Sequence, residues 1–119
     1  MRAAHAQDPS VLAWTFSDVE MRSALCRLAR DGALDAGALQ EARGRVESFW
    51  ATVDVVSLVD PVKVRAKRLL GLHSLCAADA LQLAAALTAA YDDPFGWDFV
   101  CLDERLAAAA RREGFTVIS

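Results

Sequence analysis

The chain has 119 residues, with 13 Lys and Arg against 16 Asp and Glu, a formal net charge of −3 and 55% hydrophobic residues. This length suits one domain, and the hydrophobic fraction excludes a disordered chain. The acidic balance argues against a generally basic nucleic-acid binder, although it allows a local basic patch.

The predicted elements begin with a short buried strand over residues 11–16. Ser17 and Glu20 then match a capping box, which predicts a helix that ends near Gly32. A second helix is predicted over 36–51 from its apolar stripe, and the β-branched run at 53–59 is typical of a strand.

The second half of the chain continues this alternation of helices and strands. Asp60 and Pro61 predict a helix start, with Asp60 as the N-cap, and Gly71 predicts its end. The remaining predictions are a buried helix within 74–91, a strand at 97–102, a helix Glu104–Glu113 capped by Asp103 and ended by Gly114, and a strand at 115–118.

Strands alternating with helices predict a single α/β domain over residues 1–119, with a mainly parallel sheet flanked by helices in three layers. In such sheets, functional sites form at the carboxyl ends of the strands. Residues in those positions are therefore the first candidates for chemistry.

The cysteines and the absence of long apolar runs bear on the cellular compartment. Cys26, Cys76 and Cys101 form no C-x-x-C pair, and with two histidines no structural zinc site is expected. No run approaches the ~18 apolar residues of a membrane span, and residues 1–8 lack the apolar core of a secretory signal. We expect free thiols in a reducing cytoplasm and no membrane association.

Three carboxylates are candidates for a functional site: Glu20, Asp79 and Asp103. Each also has a structural interpretation, because Glu20 can complete a capping box, Asp103 can be an N-cap, and Asp79 can lie at the positive end of its helix. Asp79 stands in an apolar helix, where a charge needs a partner, a hydrogen bond or a metal. If the three converge, oxygen ligands without His or Cys favour Mg²⁺ or Mn²⁺, and the chemistry would be metal-assisted phosphodiester hydrolysis.

Three segments resemble the acidic motifs of PIN domains. Ser17-Asp18-Val19-Glu20 resembles the second motif, and the run LCAADALQLA at 75–84 resembles the third. The run FVCLDERLAAAARREGF at 99–115 resembles the fourth motif with its closing helix and strand. The motifs occur in order, and the resemblance covers about residues 10–118.

The resemblance implies a Mg²⁺- or Mn²⁺-dependent ribonuclease of the VapC toxin type, held inactive by an antitoxin. It implies that Glu20, Asp79 and Asp103 are metal ligands or orient metal-bound water. A homodimer is also expected.

The chain departs from the family pattern at three places. Cys76 stands where the family often has Arg, and Cys101 stands where it often has Thr or Ser. The family's first strand, which is central in the sheet and ends in an aspartate, has no counterpart, since Asp8 follows no apolar strand. We therefore expect that residues 1–10 are a remnant of the N-terminal region, that the flanking strands face a gap or pair directly, and that the start codon is mis-assigned.

Two groups of basic residues lie on predicted helices: Lys63, Arg65, Lys67 and Arg68 on one, and Arg22, Arg27 and Arg30 on the other. They are either solvated faces or phosphate contacts beside the acidic cleft, and Lys63, Lys67 and Arg68 are the candidate RNA ligands. We expect His73 to be a surface or packing residue.

Two other functions remain open at this point. The chain can be a non-catalytic PIN-like remnant that binds an antitoxin or associates with itself through the open sheet. It can also be a different α/β domain whose acidic residues only cap helices, in which case Glu20, Asp79 and Asp103 would lie far apart.

Overall fold

A computed structural model describes residues 2–5 and 11–119, with side chains described from Val11 onward. The chain forms two compact units. The sheet unit consists of Met1–Trp14 and Asp54–Ser119, and the helical unit consists of Thr15–Val53. The single domain over 1–119 stays a prediction, and the segment around Asp8 lies outside the described residues.

The sheet unit contains every strand in the described part of the chain. The strands are β1 (Arg2–His5), β2 (Leu12–Trp14), β3 (Asp54–Val56), β4 (Trp97–Val100) and β5 (Thr116–Ile118), and their order in the sheet is β3-β2-β1-β4-β5. β2 pairs with β3 and β4 with β5 in parallel, whereas β1 is antiparallel to both of its neighbours. Four strands thus share one direction, and the predicted α/β class with a mainly parallel sheet is confirmed.

The centre of the sheet differs from the prediction. β1 lies between β2 and β4, in register with β4 from Arg2 opposite Val100 to His5 opposite Trp97. The expected gap or direct pairing of β2 with β4 is therefore wrong. The physical reason is that unpaired backbone groups in a sheet centre are costly, and a short reversed segment satisfies them.

Three helices belong to the sheet unit: α3 (Val59–Leu72), α4 (Ala77–Ala89) and α5 (Glu104–Glu113). Asp60 is not the N-cap of α3, because the helix begins at Val59 with Leu58 as its N-cap, so Asp60 lies in the first turn. Gly71 lies inside α3 and does not end it. α4 is buried along seven successive residues, 82–88, as its apolar composition predicts.

The core of the sheet unit forms where α3, α4 and α5 meet the strands. Leu69, Leu83, Leu106 and Phe99 are fully buried, and the ring centroids of Phe99 and Phe115 are 5.4 Å apart. Gly114 ends α5 in the left-handed conformation, at φ 111°, as predicted. This packing fixes the turn after β4 and the beginning of α4.

The helical unit consists of α1 (Ser17–Arg30) and α2 (Ala36–Thr52). The carboxylate of Asp35 caps α2 by accepting a hydrogen bond from the Ala38 amide, at 2.8 Å. Ser17 and Val46 are the buried residues of this unit. In the described part of the chain, no helix combines the length and the apolar character that crossing a membrane would need.

Candidate functional site

Asp103 follows β4 and caps α5. Its Oδ1 accepts a hydrogen bond from the Leu106 amide at 3.0 Å, which confirms the predicted N-cap. The side chain is exposed, and the cap uses one of its two oxygens. A capping carboxylate of this kind retains a second oxygen for a cation.

Asp79 lies in the first turn of α4, immediately before a residue that packs into the core. The next residue, Ala80, is fully buried, whereas the Asp79 residue is half-buried. Within the described residues, the Asp79 carboxylate takes part in no ion pair and no hydrogen bond. It therefore has no hydrogen-bond or ion-pair partner in that part of the chain, and its oxygens are available to a cation.

The Cys101 thiol lies in the turn between β4 and α5, and the charges of Asp79 and Asp103 both affect its pKa. Burial raises its pKa first, the negative charges of Asp103 and Asp79 raise it further, and its hydrogen bond to the Asp103 carbonyl, at 3.8 Å, lowers it. Asp79 and Asp103 thus both act electrostatically on one sulfur atom. Asp103 follows β4 directly, and its connection with Asp79 is this shared influence on the pKa of Cys101.

Glu20 lies in the helical unit, half-exposed, in the first turn of α1. The predicted capping box is wrong, because Phe16 is the N-cap and no side chain caps the helix. Phe16 already has helical dihedral angles, so Ser17 is inside the helix, buried, and its Oγ has no hydrogen-bond partner among the described residues. The convergence of Glu20 with the other two carboxylates stays a prediction.

In the described part of the chain, no group of three or more His, Cys, Asp or Glu side chains is close enough to hold a metal ion. Mg²⁺ typically takes one or two protein carboxylates and keeps several waters. Asp79 and Asp103, with oxygen donors and one free oxygen on the capping residue, fit that limited requirement.

The two cysteines that replace family residues have different environments. Cys76 is the N-cap of α4, is exposed, and makes no side-chain cap. As a cysteine it also lacks the guanidinium that an arginine would place there. Cys101 is buried, and its thiol is a weaker hydrogen-bond donor than a hydroxyl. The local turn is nevertheless kept by the backbone, since the Cys101 amide donates to the Ile118 carbonyl at 3.2 Å.

The basic residues of α3 fall into two groups. Lys63 and Lys67 are exposed and have no ion pair within the described residues. Arg65 is held by Asp92 through two hydrogen bonds, at 2.7 Å and 2.6 Å, which lower the pKa of Asp92. The RNA-binding role of Lys63, Lys67 and Arg68 stays a prediction.

Arg68 belongs to a three-residue network that the sequence did not reveal. Its Nη2 donates to Glu113 Oε1 at 2.7 Å, while His73 Nε2 lies 2.7 Å from Glu113 Oε2. The His73 side chain is 7% exposed, so of the two expected roles, surface or packing, the surface role is wrong. Residues this far apart in the chain show no periodicity that could have predicted the pairing.

Comparison with known proteins gives the family. Two relatives from Mycobacterium tuberculosis are 38% identical to the chain over 98 residues: Ribonuclease VapC45 of strain CDC 1551 / Oshkosh and Ribonuclease VapC49 of strain ATCC 25618 / H37Rv. The chain belongs to the VapC family. The alignment covers 82% of this chain and 66% of each relative, so the chain spans just under two thirds of their length.

Membership of the VapC family confirms the resemblance to PIN domains that the three acidic motifs indicate. No family model matches the chain, and no solved structure matches it. The expected truncation at the N-terminal region stays a prediction.

Proposed function

We propose that this VapC-family chain is a divalent-metal-dependent endoribonuclease, the toxin of a toxin–antitoxin pair. The observation that carries the proposal is its 38% identity to two proteins named as ribonucleases, over 82% of its length. Asp79 and Asp103, which both act electrostatically on the Cys101 thiol, support the same activity, because phosphodiester hydrolysis by this class of enzyme uses acidic residues and a cation.

In this proposal Asp79 and Asp103 hold Mg²⁺ or Mn²⁺, and Glu20 is the third acidic residue by the family resemblance. A bound cation would activate water and stabilise negative charge on the phosphate and the leaving oxygen. Asp103 is fixed for this role by its cap on the Leu106 amide. Asp79 is positioned by its neighbour Ala80, which is fully buried in the core.

The proposal extends to the partners of the chain. Lys63 and Lys67 are four residues apart on α3, so they share one helix face from which both can contact RNA phosphates. Arg68 is the third proposed RNA ligand. An RNA phosphate would compete with the Glu113 carboxylate for the Arg68 guanidinium. We also propose that an antitoxin binds the chain, that the chain forms a homodimer and that it is cytoplasmic. Light scattering at several concentrations tests the dimer.

The deciding experiment compares the wild-type chain with Asp79→Asn and with Asp93→Asn as the matched control. Asp93 is an exposed carboxylate in the loop after α4. We expect cleavage of single-stranded RNA with Mg²⁺ or Mn²⁺, none in EDTA, and a loss of about a hundredfold or more in Asp79→Asn. Asp93→Asn should cleave as the wild type does.

A second measurement separates metal binding from folding. Mg²⁺ should raise the melting temperature of the wild type and of Asp93→Asn, because a ligand that binds only the folded state stabilises it. The same addition should leave Asp79→Asn unchanged. Equal cleavage by the wild type and Asp79→Asn, or cleavage that persists in EDTA, would contradict the proposal.

A further inference from the structure

The sheet unit has a free edge at β3. In the described part of the chain, β3 is the last strand on its side of the sheet, and its neighbour is β2. The Asp54 amide donates to the Val11 carbonyl, so the backbone groups of Asp54 face β2. Because these groups alternate in direction along a strand, the N–H and C=O of Val55 face the free edge. An edge of this kind is a template for a further strand.

A groove runs around this edge. It has a volume of about 550 Å³, and its lining includes Val55 and Val56 of β3, Leu58 and Pro61 next in the chain, and Tyr91 after α4. Successive side chains of a strand point to opposite faces of a sheet. A groove lined by both Val55 and Val56 therefore lies at the edge of β3 and not on one face alone. All of these residues belong to the sheet unit.

The side chains at the groove expose a large apolar surface. Tyr91 and Leu58 are each more than half exposed, and so is Val64, which lines a second groove that shares Arg65 with the first. With Val55 they present apolar surface on the order of several hundred Å², a large part of the roughly 800 Å² that each partner buries in a standard interface. This surface is therefore large enough to contribute the apolar centre of a stable interface.

The turn that carries Tyr91 has a strained backbone. Tyr91 and Asp92 have φ angles of 53° and 60°, in the left-handed region that bulky residues rarely adopt. Two hydrogen bonds from Arg65 to the Asp92 carboxylate, at 2.7 Å and 2.6 Å, hold this turn. Such strain is found where the surrounding structure fixes a functional segment, and an exposed tyrosine is a common anchor of protein interfaces.

The charges of this surface favour a second copy of the chain over a charged partner. Arg65 is the charged side chain that lines the groove among the described residues, and it is already paired with Asp92. A charged ligand would find no free countercharge in the groove. A second copy brings an equally apolar and equally balanced surface, so docking leaves no charge unpaired.

The edge of β3 is also compatible with two-fold symmetry. Antiparallel pairing centred on Val55 lets the two Val55 residues of a dimer exchange both of their backbone hydrogen bonds. Each Asp54 then lies opposite a Val56, and the two Asp54 carboxylates lie at opposite ends of the pair. We propose that β3 pairs antiparallel with β3 of a second copy, and that Tyr91 of each copy packs into the groove of the other.

This inference rests on the homodimer of the proposed function and names its interface. The two edge strands offer a matched test, because Val55 on β3 and Ile118 on β5 are each 46% exposed. Val55→Lys should raise the dissociation constant of the dimer by about tenfold or more, because it places two like charges at the symmetry axis of a strand pair. Ile118→Lys should dimerise as the wild type does, and sedimentation equilibrium of the full chain measures all three.

A second matched pair tests the groove without changing β3. Tyr91 is 89% exposed and lines the groove, whereas Phe95 is 87% exposed and does not. Tyr91→Ala should weaken the dimer by about tenfold, the effect of removing an interface anchor. Phe95→Ala should leave the dimer unchanged. Both side chains are exposed in the single chain, so circular dichroism should show the same fold for both variants.

Disulfide trapping tests the symmetry axis directly. The Cα atoms of a hydrogen-bonded antiparallel pair are about 5.5 Å apart, a separation that a disulfide can span. In a chain with Cys26→Ser and Cys76→Ser, the remaining native thiol, Cys101, is buried. Mild oxidation should then give a covalent dimer with Val55→Cys and none with Ile118→Cys.

The outcomes separate this interface from the rest of the proposed function. A wild-type dimer that Val55→Lys and Tyr91→Ala leave intact would retain the homodimer and overturn the interface. A wild type that is monomeric at every concentration would overturn both. A monomeric wild type whose binding to an antitoxin is blocked by Val55→Lys would assign the edge to the antitoxin and overturn the proposal. RNA cleavage plays no part in these measurements, so the proposed nuclease is tested independently.

Discussion

The two compact units differ most in how much of their side-chain volume is buried. The sheet unit has a continuous core that includes the fully buried Phe99, Leu69 and Leu83. The helical unit buries Val46 and Ser17, and Ser17 brings a hydroxyl with no hydrogen-bond partner among the described residues. Burial of apolar area is the main stabilising contribution to folding, so the two units should differ in local stability.

This difference matters for the candidate site. Asp79 and Asp103 stand on elements anchored in the core, whereas Glu20 belongs to the unit with few buried side chains. Sites on rigid elements hold their geometry, while segments of low local stability adapt to ligands. We therefore expect Asp79 and Asp103 to hold their positions more rigidly than Glu20 does.

The largest effect is expected from a cavity in the sheet unit. Phe99→Ala removes a ring that is 0% exposed and should lower the free energy of unfolding by about 3–5 kcal/mol, measured by denaturant titration. Phe95, on a loop of the same unit, is 87% exposed, so Phe95→Ala should change it by less than about 0.5 kcal/mol. Val46→Ala in the helical unit should lower the free energy of unfolding by an intermediate amount. A loss as large as that of Phe99→Ala would contradict the expected difference between the two units.

An intermediate effect is expected from the ion pairs. Burial raises the pKa of Glu113, but hydrogen bonds from Arg68 and His73 lower it by more, so its pKa lies below its ordinary 4.5. Glu113→Gln should lower the free energy of unfolding by about 1–3 kcal/mol at neutral pH, because the nearly buried His73 loses an anionic partner. The stabilisation is present above pH 4.5 and is lost as pH falls through the lowered pKa.

The difference between wild type and Glu113→Gln should therefore shrink on acidification below pH 4.5. The matched variant in the helical unit is Glu47→Gln, which removes an exposed partner of Arg22. It should lower the free energy of unfolding by less than Glu113→Gln does at neutral pH, because exposed ion pairs contribute little. A gap between wild type and Glu113→Gln that does not shrink as the pH is lowered below 4.5 would contradict the role assigned to Glu113.

The smallest effect is expected from two glycines and has opposite signs in the two units. Gly44 lies inside α2 with open space where a Cβ would point, so Gly44→Ala should stabilise by about 0.5–1 kcal/mol. Gly114 has φ 111°, and a Cβ there would lie 2.9 Å from Pro94 Cγ. Gly114→Ala should destabilise by about 1–2 kcal/mol, and thermal unfolding of both variants measures the contrast.

The sequence predicted most reliably those features that depend on neighbours in the chain. Asp103 as a cap, the helix Glu104–Glu113, the stop at Gly114 and the buried α4 all follow from local patterns, and all are confirmed. The capping box at Ser17 failed because the turn before it already has helical dihedral angles, which no residue type indicates. Asp60 and Ser17 were predicted as N-caps, but each lies inside its helix, so a good capping residue does not by itself determine where a helix begins.

Features that depend on distant residues were not predictable in this way. The partners of Arg65 and Arg68, Asp92 and Glu113, are 27 and 45 residues away in the chain. The central place of β1 was not predicted for the same reason. A strand of four residues is too short to show a strand pattern, and it is held by pairing with β2 and β4. The proximity of Asp79 and Asp103 to one thiol was foreseeable only through the rule for the carboxyl edge of a sheet.

The reversed direction of β1 determines which segments can deliver ligands to that edge. Its amino end, at Arg2, is paired with Val100, the last residue of β4, and its carboxyl end, at His5, is paired with Trp97, the first residue of β4. The carboxyl end of β1 therefore lies at the amino end of β4, away from Asp103, which follows β4. A fourth acidic ligand at this edge requires a central strand that runs the other way, and such a strand would have to displace β1 from its four-residue pairing with β4.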